Sequence, residues 1–360
     1  VAQPLKDLIN ARSVSVLADG LAAAWPAFPR AGFTARALTG LDGLELKARV
    51  AHVAAALHDA LPLPYPRAAA LVRECAATLD MWSGWPATEH TALQGLDHLE
   101  PAMETLAALT PYATGEFAVR PYLDRYRDDA IKIMYGWAES PDEHLRRLAS
   151  EGSRPRLPWA GRVGWLMTPG PTLPLLDRLR DDPSEYVRRS VANHVNDLAK
   201  DHPQVALELL AGWRAGGGSH VERVLRHAVR GLLRAGHPEA LALLGATPGS
   251  GTVEELTLGS PTVAVGGRLA FTVTVRAEAA GPVLLKYAVR RAGSRRVFHL
   301  GQREAGGAGE TFAVRKSHSF RPVTTRDEPP GPRELDVIVN GRVAATVPFT
   351  LTGAETTSIS

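Results

Sequence analysis

Three strings of one make recur in this chain at an interval of about 40 residues: EHLRRLAS at 143–150, EYVRRSVA at 185–192 and VLRHAVRG at 224–231. That interval is the period of HEAT-like helical pairs. In such arrays each pair buries its apolar face only against its neighbours, so the expected product is a curved solenoid with a concave side. Helical spacing supports the assignment. Leu145, Leu148 and Ala149 fall at i, i+3, i+4, Arg147 and Glu151 share a second face, and Gly152 is placed to end the helix as a C′ residue. In the second string Asp182-Pro183-Ser184 opens a helix whose apolar stripe is Val187, Val191, Val195 and Leu198. Tyr186, Ser190, Asn193 and Asp197 line another face, so an acid ends a polar seam.

At 360 residues the chain is too long for one ordinary core, and its character changes along its length. The first 110 residues are rich in Ala and Leu at helical spacing, with stripes Val50, Val53, Ala54, Leu57 and Leu71, Val72, Cys75, Leu79 separated by the breaker Pro62-Leu63-Pro64-Tyr65-Pro66. Trp82 and Trp85 read as packing residues between helices. Near Gly245–Gly251 the sequence turns to period two. Leu269, Phe271, Val273, Val275 make one strand face, Val283, Leu285, Tyr287, Val289 a second, and Leu335, Val337, Val339 a third. Asn340-Gly341 is a hairpin turn leading into a strand from Val343 to Leu351. The expected class is therefore mainly α: a HEAT-like solenoid over 1–245, a linker at 246–251, an all-β immunoglobulin-like sandwich of about seven strands over 252–353, and a tail at 354–360.

Charge is uneven. The whole chain carries a formal net charge of only +3, yet between Lys286 and Arg321 nine Lys/Arg face two acids, Glu304 and Glu310. A local surplus of that size makes the sandwich a plausible partner for a polyanion. Arg146 and Arg188 match across the repeats, as do Arg147 and Arg189, with Arg226 and Arg230 in the third string. Repeated arginines are either solvated surface or a row of phosphate contacts rewarded by counterion release.

Other chemistry is missing. Twelve histidines are present without HExxH, and there is no CxxC, GxSxG or GxxxxGK[ST], so neither a metal nor another cofactor is expected. The single cysteine, Cys75, cannot form an internal disulfide, and no apolar run approaches the roughly 20 residues of a membrane span. The first residues, VAQPLKDLIN, lack a signal-peptide apolar region. A soluble cytoplasmic monomer working at the nucleoid, away from membranes, is the expectation.

What remains is a set of acids near the arginines, within GEFAVRPYL, RRLASEGSRPRLPWA and YVRRSVANHVNDLAKDHP. These runs resemble the signature segments of the AlkC branch of the HEAT-like AlkC/AlkD alkylbase DNA glycosylases, and the β-rich end resembles the Ig-like domain of its longer form. The resemblance covers about Leu93 to Leu244 and is sharpest from Glu116 to Pro203. SEGSRPRLPW carries most weight, because repeat packing does not demand such a string.

The resemblance implies excision of cationic N-alkylated bases, 3-methyladenine and 3-methylcytosine, from double-stranded DNA. Glu116, Glu151 and Asp197 would form the acidic site with Trp159 beside them. Alkylation leaves the base cationic and already a good leaving group, so carboxylates need only stabilise positive charge on lesion and sugar. Asp197 is expected nearest the sugar and the attacking water, with Glu151 and Glu116 holding that water. Trp159 would add cation–π attraction of roughly 0.5–2 kcal/mol. Arg147, Arg154, Arg156, Arg188 and Arg189 are expected on the DNA backbone, with the sandwich on the same duplex. With no lysine counted in the acidic motifs, the expected reaction is hydrolysis by water, without strand cleavage through a Schiff base.

Each residue also has a plainer reading. Asp197 pairs with Arg189 or Lys200, Glu151 with Arg147, Glu116 stabilises a helix start, and Trp159 anchors a loop. Together these give the alternative, a non-catalytic HEAT-repeat scaffold or DNA-binding protein.

Overall fold

The computed structural model describes residues 4–322 and 328–353, so the expected tail at 354–360 lies outside the described residues. The chain divides into two units, residues 1–205 with 212–228, and residues 206–211 with 229–360.

The first unit is helical: α1 (Ala11–Ala24), α2 (Arg30–Leu38), α3 (Leu46–Ala60), α4 (Tyr65–Cys75), α5 (Met81–Gln94), α6 (Leu99–Leu109), α7 (Arg120–Tyr126), α8 (Asp128–Ala138), α9 (Glu143–Gly152), α10 (Leu173–Leu179) and α11 (Glu185–Asp201). The chain goes on through α12 (Pro203–Gly216), whose residues 206–211 belong to the second unit, to α13 (Val221–Ala228) in the first. Mostly alternate helices pack side by side, α3 on α5, α4 on α6, α9 on α11 and α11 on α13, with α8 on α9 between, which is the helical-repeat stack the period demands. Local chemistry sets the starts. Asn10 and Asp80 close capping boxes with Ser13 and Ser83, and the Asp142 side chain accepts from the His144 N–H at 2.8 Å. Leu17, Leu21, Val53, Leu57, Leu71 and Val72 are buried in the first core, with Trp85 inside and Trp82 against it.

One expectation changes, and the third repeat departs from the other two. Gly152 is the last residue of α9 rather than a left-handed C′ residue. It is glycine for space, since a Cβ there would sit 2.5 Å from Val119 Cγ1. The third repeat string is not one helix: α13 stops at Ala228 and α14 (Arg230–Ala235) begins afterwards.

The second unit holds α14, α15 (Pro238–Leu243) and eight strands among the described residues: β1 (Gly251–Leu258), β2 (Thr262–Ala264), β3 (Arg268–Ala277), β4 (Gly281–Arg291), β5 (Ser294–Ala305), β6 (Thr311–Ser319), β7 (Gly331–Val339) and β8 (Arg342–Thr352). A three-stranded sheet, β1-β3-β6, faces a five-stranded sheet, β2-β8-β7-β4-β5. Leu269, Phe271, Val273, Val275, Val283, Leu285, Tyr287, Val289, Leu335, Val337 and Val339 fill the space between them, as their alternation requires. Asn340 and Gly341 turn β7 into β8 with φ of 41° and 81°, the doubly positive backbone that matches strand twist.

Candidate functional site

Helices α9 and α11 lie side by side, and their contact is polar at one end. Asp182, just before α11, receives the Arg146 guanidinium at 2.7 and 3.1 Å and caps the Ser184 N–H at 2.8 Å. Deeper in the seam Ser190 Oγ donates to Glu151 Oε2 at 2.6 Å and lies 3.0 Å from Ser150 Oγ. His194 donates Nδ1–H to the Ser150 carbonyl at 3.0 Å. The turn of chain carrying Glu151 is thus held from α11.

The three expected acids are brought together by arginines. Arg147 donates to Glu116 at 3.0 and 3.3 Å, and its Nη2 is 3.8 Å from Glu151 Oε1. Arg154 donates Nη1–H to Glu151 Oε1 at 2.6 Å and approaches Asp197 Oδ2 at 2.9 Å through Nε and 2.7 Å through Nη2. Lys200 ends the series 3.1 Å from Asp197 Oδ1. Thr114 Oγ1 donates to Glu116 Oε2. The sequence is Glu116, Arg147, Glu151, Arg154, Asp197, Lys200, with alternating sign and no net charge. All three carboxylates are buried, as is Arg154. Burial opposes the charge on Arg147, yet the carboxylates of Glu116 and Glu151 hold its guanidinium above the ordinary value. That guanidinium also lies over the Tyr186 ring, 5.1 Å from its centroid.

The loop after α9 is fixed by two prolines and by distant partners. Arg120, at the start of α7, donates to the carbonyls of Gly152, Arg154 and Gly161 at 2.9, 2.9 and 3.0 Å, which ties both ends of the loop to one buried side chain. Arg156 pairs with Asp201 at 2.7 and 2.5 Å, and Lys47 donates to the Trp159 carbonyl at 2.8 Å. Trp159 has φ of 65° and is 66% exposed, in contrast to the buried acids. A bulky residue in left-handed backbone is strained unless its surroundings hold it, and such residues concentrate at functional sites.

The arginines do not form the expected row. Arg147 and Arg154 are committed to the acids, and buried Arg188 donates to the Asp182 carbonyl. Arg156 is partly exposed and paired, while Arg189 stands in solvent with Glu185 at 3.4 Å. Matched repeat positions therefore do different work: Arg147 meets buried acids and Arg189 an exposed one, while Arg146 meets the Asp182 carboxylate and Arg188 its carbonyl. The count of no lysine in the acidic motifs is also corrected: Lys200, three residues after Asp197, is its salt-bridge partner. Its i, i+3 spacing was a usable signal. Thr114, two residues before Glu116, was another; Arg120 had none, since its partners lie 32, 34 and 41 residues away.

Known proteins share this arrangement of units. Residues 252–353 match a family model described as the C-terminal Ig-like domain of the uncharacterised protein YhaZ. The uncharacterised YhaZ of Bacillus subtilis is 35% identical over 354 residues, covering 96% of this chain and 98% of that protein. The solved structure of Pseudomonas fluorescens AlkC, an alkylpurine DNA glycosylase bound to DNA containing an abasic site analog, superposes with a TM-score of 0.89. It is 33% identical, and the match covers 97% of this chain and 99% of that one. Agreement over essentially the full length, in helical stack and sandwich alike, makes this chain a member of the AlkC/YhaZ family in its long form with a C-terminal Ig-like domain.

Proposed function

We propose that the protein is a DNA glycosylase that hydrolyses the N-glycosidic bond of cationic N-alkylated bases, 3-methyladenine and 3-methylcytosine, in duplex DNA. The observation that carries this reading is the buried acid–arginine series linking Glu116, Glu151 and Asp197. Membership of the family, and the likeness to an AlkC bound to DNA, support the partner.

The series answers a physical difficulty. Three bare carboxylates would repel the phosphates of the strand that brings the lesion, whereas a neutral cluster does not. The arginines also lock the carboxylate rotamers before substrate arrives, so little reorganisation is left when positive charge grows on the sugar. A cationic lesion competes with the guanidiniums for the same oxygens, and a neutral base gains nothing from them. Asp197, fixed from both oxygens, stands nearest the sugar and water, with Glu151 and Glu116 orienting that water. Trp159, exposed and held by its backbone, meets the DNA from the loop. Arg189 and Arg156 reach phosphates, and the basic strands of the sandwich add a second contact. Lys200 is engaged by Asp197 at 3.1 Å, and the reaction is hydrolysis by water, so the product is an abasic site in an intact strand.

The test is release of free base from duplexes carrying either lesion, comparing wild type with Asp197→Asn at matched salt. A loss of about a hundredfold or more is expected in a variant that still binds duplex, the size that follows removal of one preorganised electrostatic group. Absence of release by the wild type from both duplexes, alongside salt-sensitive binding, would favour a DNA-binding protein without catalysis. Borohydride treatment of the reaction should trap no protein–DNA adduct.

A further inference from the structure

Tyr186 lies on the face of α11 that also carries Ser190 and Asp197, four and eleven residues further on. Both of those side chains join the acid–arginine series by hydrogen bonds, Ser190 at Glu151 and Asp197 at Arg154. Tyr186 joins it through its ring. The Arg147 guanidinium lies over that ring with Cζ 5.1 Å from the centroid, and the His144 ring meets it edge-on, 5.7 Å between centroids and 65° between planes. His144 and Arg147 are three residues apart on α9, so one turn of that helix braces the Tyr186 ring.

A planar guanidinium donates N–H groups along its edges and stacks through its faces. The edges of Arg147 go to Glu116 at 3.0 and 3.3 Å and toward Glu151 at 3.8 Å, which leaves a face for the ring. The Arg147 side chain is 17% exposed and Tyr186 is 41% exposed, so the ring is the outer member of the pair. Without it, water reaches the guanidinium and competes for the N–H groups that hold the acids. Glu116 depends on them most. Among the described residues its carboxylate is otherwise bonded only by Thr114, whereas Glu151 also has Arg154 and Ser190. The Tyr186 hydroxyl makes no hydrogen bond among the described residues, and burial raises the phenol above its ordinary value against the pull of Arg147, so the ring meets the cation in its neutral form.

We propose that Tyr186 is a positioning residue for base release: its ring, rather than its hydroxyl, keeps Arg147 on Glu116 and so keeps that carboxylate oriented. The effect on rate rests on the excision reading; the position of Arg147 does not.

Steady-state release from both lesion duplexes is measured for wild type, Tyr186→Phe, Tyr186→Ala, Glu116→Gln and the variant carrying both Tyr186→Ala and Glu116→Gln, and crystal structures of the two Tyr186 variants are solved. Circular dichroism checks folding. In Tyr186→Ala kcat should fall about tenfold, within the range that one cation–π contact supplies, with KM nearly unchanged. Tyr186→Phe should restore kcat. In the Glu116→Gln background Tyr186→Ala should add little, because both act on one carboxylate. A merely structural role would lower the unfolding midpoint and leave the two losses additive. In the crystals Arg147 should be off Glu116 in Tyr186→Ala and on it in Tyr186→Phe. An unchanged kcat in Tyr186→Ala, or an equal loss in Tyr186→Phe, overturns the role of the ring. Arg147 still bonded to Glu116 in Tyr186→Ala overturns it whatever the rates. Should the wild type release neither base, the excision reading fails, and the position of Arg147 in the two crystals alone decides for or against Tyr186.

Discussion

Arg154 touches two buried carboxylates at once, Glu151 at 2.6 Å and Asp197 at 2.7 Å, and it was expected to touch DNA instead. Its removal leaves two anions in the interior without that partner, a change that typically costs about 3–5 kcal/mol. Arg154→Ala should therefore lower unfolding free energy in urea by that order, while Arg189→Ala, an exposed side chain beside an exposed acid, should stay within about 0.5 kcal/mol of wild type. The two should exchange rank in DNA binding by salt titration: Arg189→Ala lowers the slope of log affinity against log salt by about one. An unchanged slope would remove Arg189 from the phosphate contacts. At this scale the sequence showed which residue types gather but not which partner each takes. Arg147 and Arg189 sit at equivalent repeat positions, and only the first has Glu116 within reach.

Helix α9 ends where it does because the proline loop begins, and its last residue packs against Val119 without a side chain. Gly152→Ala should destabilise by about 1–3 kcal/mol through overpacking, and should slow base release as well, because Glu151 is the adjacent residue. Normal activity in a destabilised Gly152→Ala would show that the end of α9 tolerates displacement. The apolar stripes of α9 and α11 and the alternation of β3, β4 and β7 were legible because each depends on spacing within one element. Gly152 was misread because glycine serves both left-handed backbone and close approach, and only the neighbouring Val119 distinguishes them. The tie from Arg120 to the loop was illegible for another reason: the tertiary path that brings α7 to residues 152–161 leaves no periodic trace.

Two buried histidines are expected to make the helical unit acid-sensitive. Burial pushes His194 down to about 3 and, with help from nearby His58, pushes His90 down to about 4. In the unfolded chain both titrate near their model value of 6.5, so below that pH the unfolded state takes up protons that the folded state refuses. Stability is then present above pH ~6.5 and lost on acidification, at up to about 1.4 kcal/mol per pH unit for each group. Urea midpoints should be flat from pH 8 to 7 and fall steeply between pH 6 and 4.5; a midpoint unchanged at pH 5 would contradict the burial of both rings. The division into a helical stack and a sandwich was readable from the change of period near residue 250, since each architecture imposes its own repeat. The placement of basic charge in the sandwich has a consequence of a different kind. In the five-stranded sheet β5 is an edge and carries Arg295, Arg296 and Arg303; in the three-stranded sheet β6 is an edge and carries Arg315 and Lys316. Unpaired strand edges invite other chains to add on, and like charges along them oppose it. The residues proposed to meet DNA would thus also oppose the joining of two copies of this domain edge to edge, a protection that neutralising those side chains would remove.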